Sequence, residues 1–153
     1  ATTTLGGTVV VLANGSFTYT PLAGISGDDS FTYDAIGAGG LVSATAATVT
    51  ISVVAPVNQP PVAVDDFATT VRNVSIGIDV LANDSDPDGT LDVATVTIVD
   101  LPDQGGTVVV NADGTITYTP GKNFKGTEIF TYTVNDDAGA TSNVATVEVN
   151  VTK

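Results

Sequence analysis

The chain has 153 residues, with 17 acidic against 4 basic side chains and a net charge of −13. That balance excludes nucleic acid and anionic membrane surfaces as partners, since Lys and Arg hold both. The absence of Cys and His excludes disulfides, Zn²⁺ on nitrogen or sulfur ligands, and Ser-His-Asp or Cys-His catalysis.

Apolar residues make up 42% of the chain, enough for a packed core. They are mostly Val, Ala, Ile and Leu, set among many Thr, and β-branched residues suit a pleated, half-buried surface. No stretch keeps a 3.6-residue apolar period, and Gly and Pro recur throughout, so the fold class is all-β. No apolar run reaches the roughly 18 residues that a membrane-spanning helix needs, so no membrane insertion is expected. Met is also absent, and the chain is expected to be a piece of a longer protein.

Residues 7–36 and 106–135 are nearly the same text twice: Gly7 stands against Gly106, and Tyr33 against Tyr132. After Ser43 and Ser142 the register slips by one, so that Thr48 faces Thr146. A period near 100 residues suits tandem β-sandwich domains. The first repeat, residues 1–55, carries only the later strands D to G, at 8–12, 16–20, 31–35 and 47–53. A Pro-rich linker, 56–61, resists sheet pairing. The second repeat, 62–153, reads as a complete Greek-key sandwich with seven strands. These are A 62–71, B 74–81, C 93–99, D 107–110, E 115–119, F 129–134 and G 145–151. Asn111-Ala112-Asp113-Gly114 is a hairpin turn between D and E. A half sandwich in the first repeat leaves an apolar face and sheet edges uncovered. Either the chain was cut from a longer protein, or strands of a neighbouring copy cover that face. The second case makes a homo-oligomer or filament by strand complementation.

The acidic residues follow the loops. Asn83-Asp84-Ser85-Asp86-Pro87-Asp88-Gly89 places three carboxylates at alternate positions. Such a group repels itself unless a cation lies between its members. The spacing D-x-D-x-D-G matches the first half of a Ca²⁺ loop of the EF-hand type. The second half is missing: Thr95 stands where a bidentate Glu belongs, and neither flank is helical. Because successive strands reverse, the B–C loop, the F–G loop and the start of strand A share one pole. With the D–E turn, that pole collects Asp65, Asp66, Asp84, Asp86, Asp88, Asp113, Asp136 and Asp137, and among them Asp84, Asp86 and Asp88 lead as ligands, followed by Asp65, Asp66 and Asp136. Asp28 and Asp29, in the E–F loop of the first repeat, are expected to face the same joint. Asp113 is assigned to its turn. The candidate ligands are Asp84, Asp86, Asp88, Asp65, Asp66, Asp136, Asp28 and Asp29, and Ca²⁺ is the expected ion because so many hard oxygens gather.

At these residues the chain resembles the bacterial cadherin-like, Ig-like tandem repeats of large secreted adhesins. The resemblance rests on Asn58-Gln59-Pro60-Pro61, Ala63-Val64-Asp65-Asp66, Asp79 to Asp84 and the Asp86-Pro87-Asp88-Gly89 turn. Its second half rests on Thr115 to Pro120, Phe130-Thr131-Tyr132 and Ala145-Thr146-Val147. It implies an extracellular or bacterial cell-surface location and a role as a spacer or adhesive stalk, often dependent on Ca²⁺. Asp84-x-Asp86 fits the acidic B–C motif of that family, whereas the linker lacks the family's Asp residues. The leading expectation is a non-enzymatic module, joined to neighbouring repeats of its own protein and stiffened by Ca²⁺. Sugar binding is disfavoured by the absence of Trp, and by four Tyr at repeated strand positions that core packing explains.

Overall fold

A computed structural model describes residues 1–153. The chain forms two compact units, Ala1–Val57 and Asn58–Lys153. Both are built from β-strands alone, eleven in all.

Unit 1 holds β1 (Thr8–Val11), β2 (Phe17–Thr20), β3 (Gly27–Tyr33) and β4 (Ala47–Val53). They make two separate antiparallel hairpins, β1–β2 and β3–β4. In the first, Val9 lies opposite Tyr19, and in the second Tyr33 lies opposite Ala47. β3 begins four residues before the expected strand and takes Asp28 and Asp29 with it. Both are therefore strand residues, on opposite faces of a pleat, and not members of a loop.

Unit 2 holds β5 (Asp66–Val71), β6 (Ile76–Ile78), β7 (Leu91–Ile98) and β8 (Thr107–Val110). β9 (Ile116–Thr119), β10 (Gly126–Asp136) and β11 (Ala145–Thr152) complete it. One sheet runs β5-β11-β10-β7 and the other β6-β9-β8. The pairs are antiparallel except β5 with β11, which run parallel with Asp66 beside Val147. All seven expected strands are present, and their two sheets enclose one core. Val80, Val96, Ile116, Tyr118, Phe130, Tyr132, Val134, Val147 and Val149 form its centre.

The long strand β10 shows why the sequence folds this way. Its period-two alternation turns Glu128, Phe130, Tyr132, Val134 and Asp136 inward. The apolar middle of that row fills the core, and a carboxylate stands at each end. Charges this deeply buried must be hydrogen-bonded. Glu128 accepts from the Gln104 and Gly106 amides, at 2.8 Å each, and from the Tyr118 hydroxyl. Asp136 accepts from the Ala138 and Ala140 amides at 3.0 and 2.7 Å. The strand thus closes the sandwich at both poles.

The hairpin turn between β8 and β9 forms as expected. Gly114 has φ of 84°, and Asp113 accepts from the Thr115 amide and hydroxyl. Asp113 is fully engaged in shaping that turn.

Candidate metal centre

Three segments of unit 2 meet at one pole: residues 58–66, the β6–β7 loop, and the end of β10 with the turn after it. Val62 bridges Ser85. The Val64 amide donates to Asp84 Oδ1 at 2.8 Å, and the Asn83 amide nitrogen donates to the Asp65 carbonyl at 3.2 Å. Gln59 N reaches both oxygens of Asp88 at 3.2 Å, and Asn58 Nδ2 donates to Asp136 at 2.7 Å. The Thr90 amide donates to Asp137 Oδ1 at 3.1 Å. Asp65, Asp66, Asp84, Asp86, Asp88 and Asp136 are all brought to this pole, as the alternation of loops implies.

Most of these carboxylates already have partners within the unit. Asp84 takes the Val64 amide on one oxygen and the Tyr132 hydroxyl on the other, at 2.9 Å. The same hydroxyl lies 2.7 Å from the Val80 carbonyl. Asp65 Oδ1 accepts from the Thr146 amide at 2.8 Å. Asp86 Oδ1 accepts from the Asp88 and Gly89 amides at 3.0 Å each, which fixes the Asp-Pro-Asp-Gly turn. Burial alone would raise the Asp136 carboxyl, yet Asn58 and the Ala140, Ala138 and Gly139 amides hold it below the usual range.

Two oxygens stand apart. Asp66 Oδ2 and Asp86 Oδ2 are buried and have no hydrogen-bond partner. Asp66 is 9% exposed. Burial first, then the nearby charges of Asp84 and Asp65, push its carboxyl up to about 6, against the weaker opposing influence of the Tyr132 hydroxyl and Asn83. Asp84 is also raised, mainly by burial. An unpaired buried acceptor is costly, and a cation is one partner that relieves it.

A second feature lies at Gly89. A Cβ built there would fall 2.5 Å from Asp137 Oδ1 and 3.2 Å from Asp86 Oδ2. Only a residue without a side chain lets these two carboxylates face the backbone so closely. Asp137 was not among the candidates, whereas its neighbour Asp136 was. The end of β10 separates the two: Asp136, its last residue, is in phase with Tyr132 and Val134, and Asp137 lies in the turn after it. No group of three acidic side chains stands together as a ready cage. The donors are nonetheless all hard oxygens, two of them orphaned, and this chemistry fits Ca²⁺.

In unit 1, Asp28 is exposed on β3 and Asp29 is buried. Asp29 accepts from the Thr3 hydroxyl, the Thr4 hydroxyl at 2.9 Å, the Leu5 amide at 2.7 Å and the Tyr19 hydroxyl at 2.8 Å. Burial would raise its carboxyl, but these hydrogen bonds outweigh burial and hold it well below the carboxylate range. Its observed work is to anchor the N-terminal segment of its own unit.

The fold and the pole define a tandem β-sandwich protein of the Ig-like class. Residues 58–153 match the model of the bacterial cadherin-like domain, and residues 1–52 match that of the bacterial Ig domain. The chain belongs to the bacterial cadherin-like family, whose domains are of a structural, non-enzymatic type. Among solved structures it is similar to two endo-fucoidan hydrolases of glycoside hydrolase family 107, MfFcnA9 and MfFcnA4. Identity is 19% to each over 95% of this chain, with TM-scores of 0.39 and 0.41. The chain spans only 26% and 22% of those two proteins. The comparison with curated proteins gave no match. No helix is long and apolar enough to cross a membrane.

Proposed function

We propose that this chain is a non-enzymatic structural or adhesive module of an extracellular repeat protein, and that Ca²⁺ binds the acidic pole of unit 2. Bacterial Ig-like and cadherin-like domains are typically surface-exposed, and cadherin-like domains often bind calcium. The observation that carries the reading is the pair of buried oxygens without partners, Asp66 Oδ2 and Asp86 Oδ2. Asp84, Asp65, Asp88 and Asp137 are the carboxylates beside them. Bound Ca²⁺ supplies positive charge where these acids repel one another.

The functional consequence follows from the residues at the start of unit 2. Asn58 and Gln59 are tied to Asp136 and Asp88. A cation that orders the acidic loops also orders the chain where it enters the domain, and so stiffens the linker 56–61. Extracellular calcium modules bind with Kd of about 10⁻⁴ to 10⁻³ M. At ten times Kd one site adds about 1.4 kcal/mol to stability, or roughly 5–10 °C in Tm for a domain near 100 residues.

The test is a thermal melt in EDTA, millimolar CaCl₂ and millimolar MgCl₂, with calcium titrated calorimetrically in parallel. The expected result is an upward shift specific to Ca²⁺ that Asp66→Asn with Asp86→Asn abolishes. Equal melting temperatures in all three buffers, with no calorimetric signal, would leave the pole as a hydrogen-bonding framework alone.

A further inference from the structure

We propose that the pole of unit 2 opposite the acidic loops binds an anionic polysaccharide through its sulfate or carboxylate groups. The chain has four basic residues in all, and they are Arg72, Lys122, Lys125 and Lys153. The strand register brings them together. Arg72 follows β5 and Lys153 follows β11, and those strands run parallel with Val71 beside Thr152. The Arg72 amide donates to the Thr152 carbonyl at 3.1 Å. Lys125 precedes β10, whose first residue, Gly126, lies opposite Val151. Arg72, Lys153 and Lys125 thus stand at the ends of three neighbouring strands. At about 4.8 Å per strand spacing the row is roughly 10 Å long, about one Debye length at 0.1 M salt. Its charges therefore act as one field.

The fourth cation is tied in by a pair of asparagines. Asn73 and Asn123 are the two non-glycine residues with positive φ, at 64° and 59°, a conformation that side chains seldom adopt. The Asn123 amide donates to Asn73 Oδ1 at 2.9 Å. This bond holds the turn that carries Lys122 against the turn that carries Arg72. Unit 1 has no such arrangement: Ala23, Gly24 and Ser26 are the counterparts of Lys122, Asn123 and Lys125. The basic pole is therefore not a requirement of the sandwich.

All four side chains are exposed. Hydrogen bonds between side chains at this pole join neutral groups, Asn73 to Asn123 and Ser75 to Thr119. Glu128 is buried and saturated by its own donors. Of the exposed acids in these turns, Asp100 is tied to Thr131, and Asp103 is the other. Four like charges so placed repel one another unless anions lie among them. They are too few for a nucleic acid duplex or a membrane surface, but enough for a short run of anionic sugars, and binding by charge needs no Trp platform. An open row at strand ends suits groups repeated along a polymer, whereas a lone small anion is held by donors that converge on it. A second copy of this chain is a poor partner. It carries a net charge of −13, and the carboxylates of its acidic pole already accept from backbone amides.

The test measures binding of the full chain to dextran sulfate, to alginate as a polyuronate, and to neutral dextran, by biolayer interferometry at several salt concentrations. EDTA is present throughout, which separates the result from calcium binding at the other pole. The expected outcome is salt-sensitive binding to a polyanion and none to dextran, with the preferred polymer identifying sulfate or carboxylate as the recognised group. Lys122→Ser with Lys125→Ser should weaken binding about tenfold without lowering Tm, and Lys122→Arg with Lys125→Arg should retain it. Adding Thr18→Lys and Thr50→Lys to the serine variant restores the net charge in unit 1 and should not restore binding. No binding to either polyanion, equal binding to dextran, or full binding by the charge-relocated variant would overturn the proposal. So would salt-sensitive self-association without any polymer that the serine variant abolishes, since the pole would then belong to a second copy.

Discussion

The Tyr118 hydroxyl donates to the buried carboxylate of Glu128, and in unit 1 the Tyr19 hydroxyl donates to Asp29 at 2.8 Å in the same register. Each pair is backed by a glycine. A Cβ on Gly106 would overlap Glu128 and Tyr118, and one on Gly7 would lie 2.6 Å from Tyr19 and 2.8 Å from Asp29. The second repeat keeps the device with Glu, the first with the shorter Asp and a Thr3 hydroxyl beside it. A carboxylate held by a tyrosine and backbone amides thus tethers the later strands of both units.

Glu128→Leu should therefore destabilise unit 2 by about 3 kcal/mol, because the Gln104 and Gly106 amides and the Tyr118 hydroxyl all lose their acceptor. Tyr118→Phe removes one donor and should cost about 1–2 kcal/mol. Urea unfolding followed by tyrosine fluorescence and circular dichroism checks both values.

Unit 1 should be acid-labile. The hydrogen bonds on Asp29 hold its folded carboxyl below the ordinary range. Its stabilising contribution is therefore present above the unfolded value of 3.8 and is lost as pH falls below it. Amide exchange in β3 and β4 should accelerate on acidification from pH 5 to 2. Asp29→Asn should be less stable at pH 7 and show a flatter acid response.

Unit 2 should behave oppositely between about pH 4 and 6 in the presence of a chelator. The folded Asp66 carboxyl sits at about 6, above its unfolded value of 3.8. Its contribution is greatest when it is protonated and is lost as pH rises through 6. Tm in EDTA should fall across this window, and the gain on adding Ca²⁺ should grow across it, because the ion needs the ionised form. Asp66→Asn should remove both trends.

Gly89→Ala separates the proposed cation binding from the fold. The added methyl would crowd Asp137 Oδ1 and Asp86 Oδ2, while the glycine itself packs against no core residue. Calcium affinity should fall about tenfold, equivalent to 1.4 kcal/mol, with Tm in EDTA changed by no more than a few degrees. Isothermal titration and melts in EDTA read the two effects apart.

Much of this was legible in the sequence, and for local reasons. Period-two alternation in β10, the Asn-Ala-Asp-Gly turn and the repeat of Tyr33 as Tyr132 are each written within short stretches. They determine strands, hairpins and the inward row of the core. Alternation of loops implies that the unit 2 acids share one pole, and Asp65, Asp66, Asp84, Asp86, Asp88, Asp136 and Asp137 meet there. What each carboxylate does there was decided by tertiary structure. Asp84 and Asp136 take amides from segments distant in sequence, or from a turn whose geometry is set by the surrounding fold. Asp66 and Asp86 keep an oxygen free because no donor reaches it. The strand start at Gly27, which drew Asp29 into the interior of unit 1, has the same origin: pairing with β4 extends β3, and five donors, three of them from residues 3–5, then meet its carboxylate. Sequence determines the period and the charge, whereas partnership of a buried polar atom depends on atoms brought near by the whole fold.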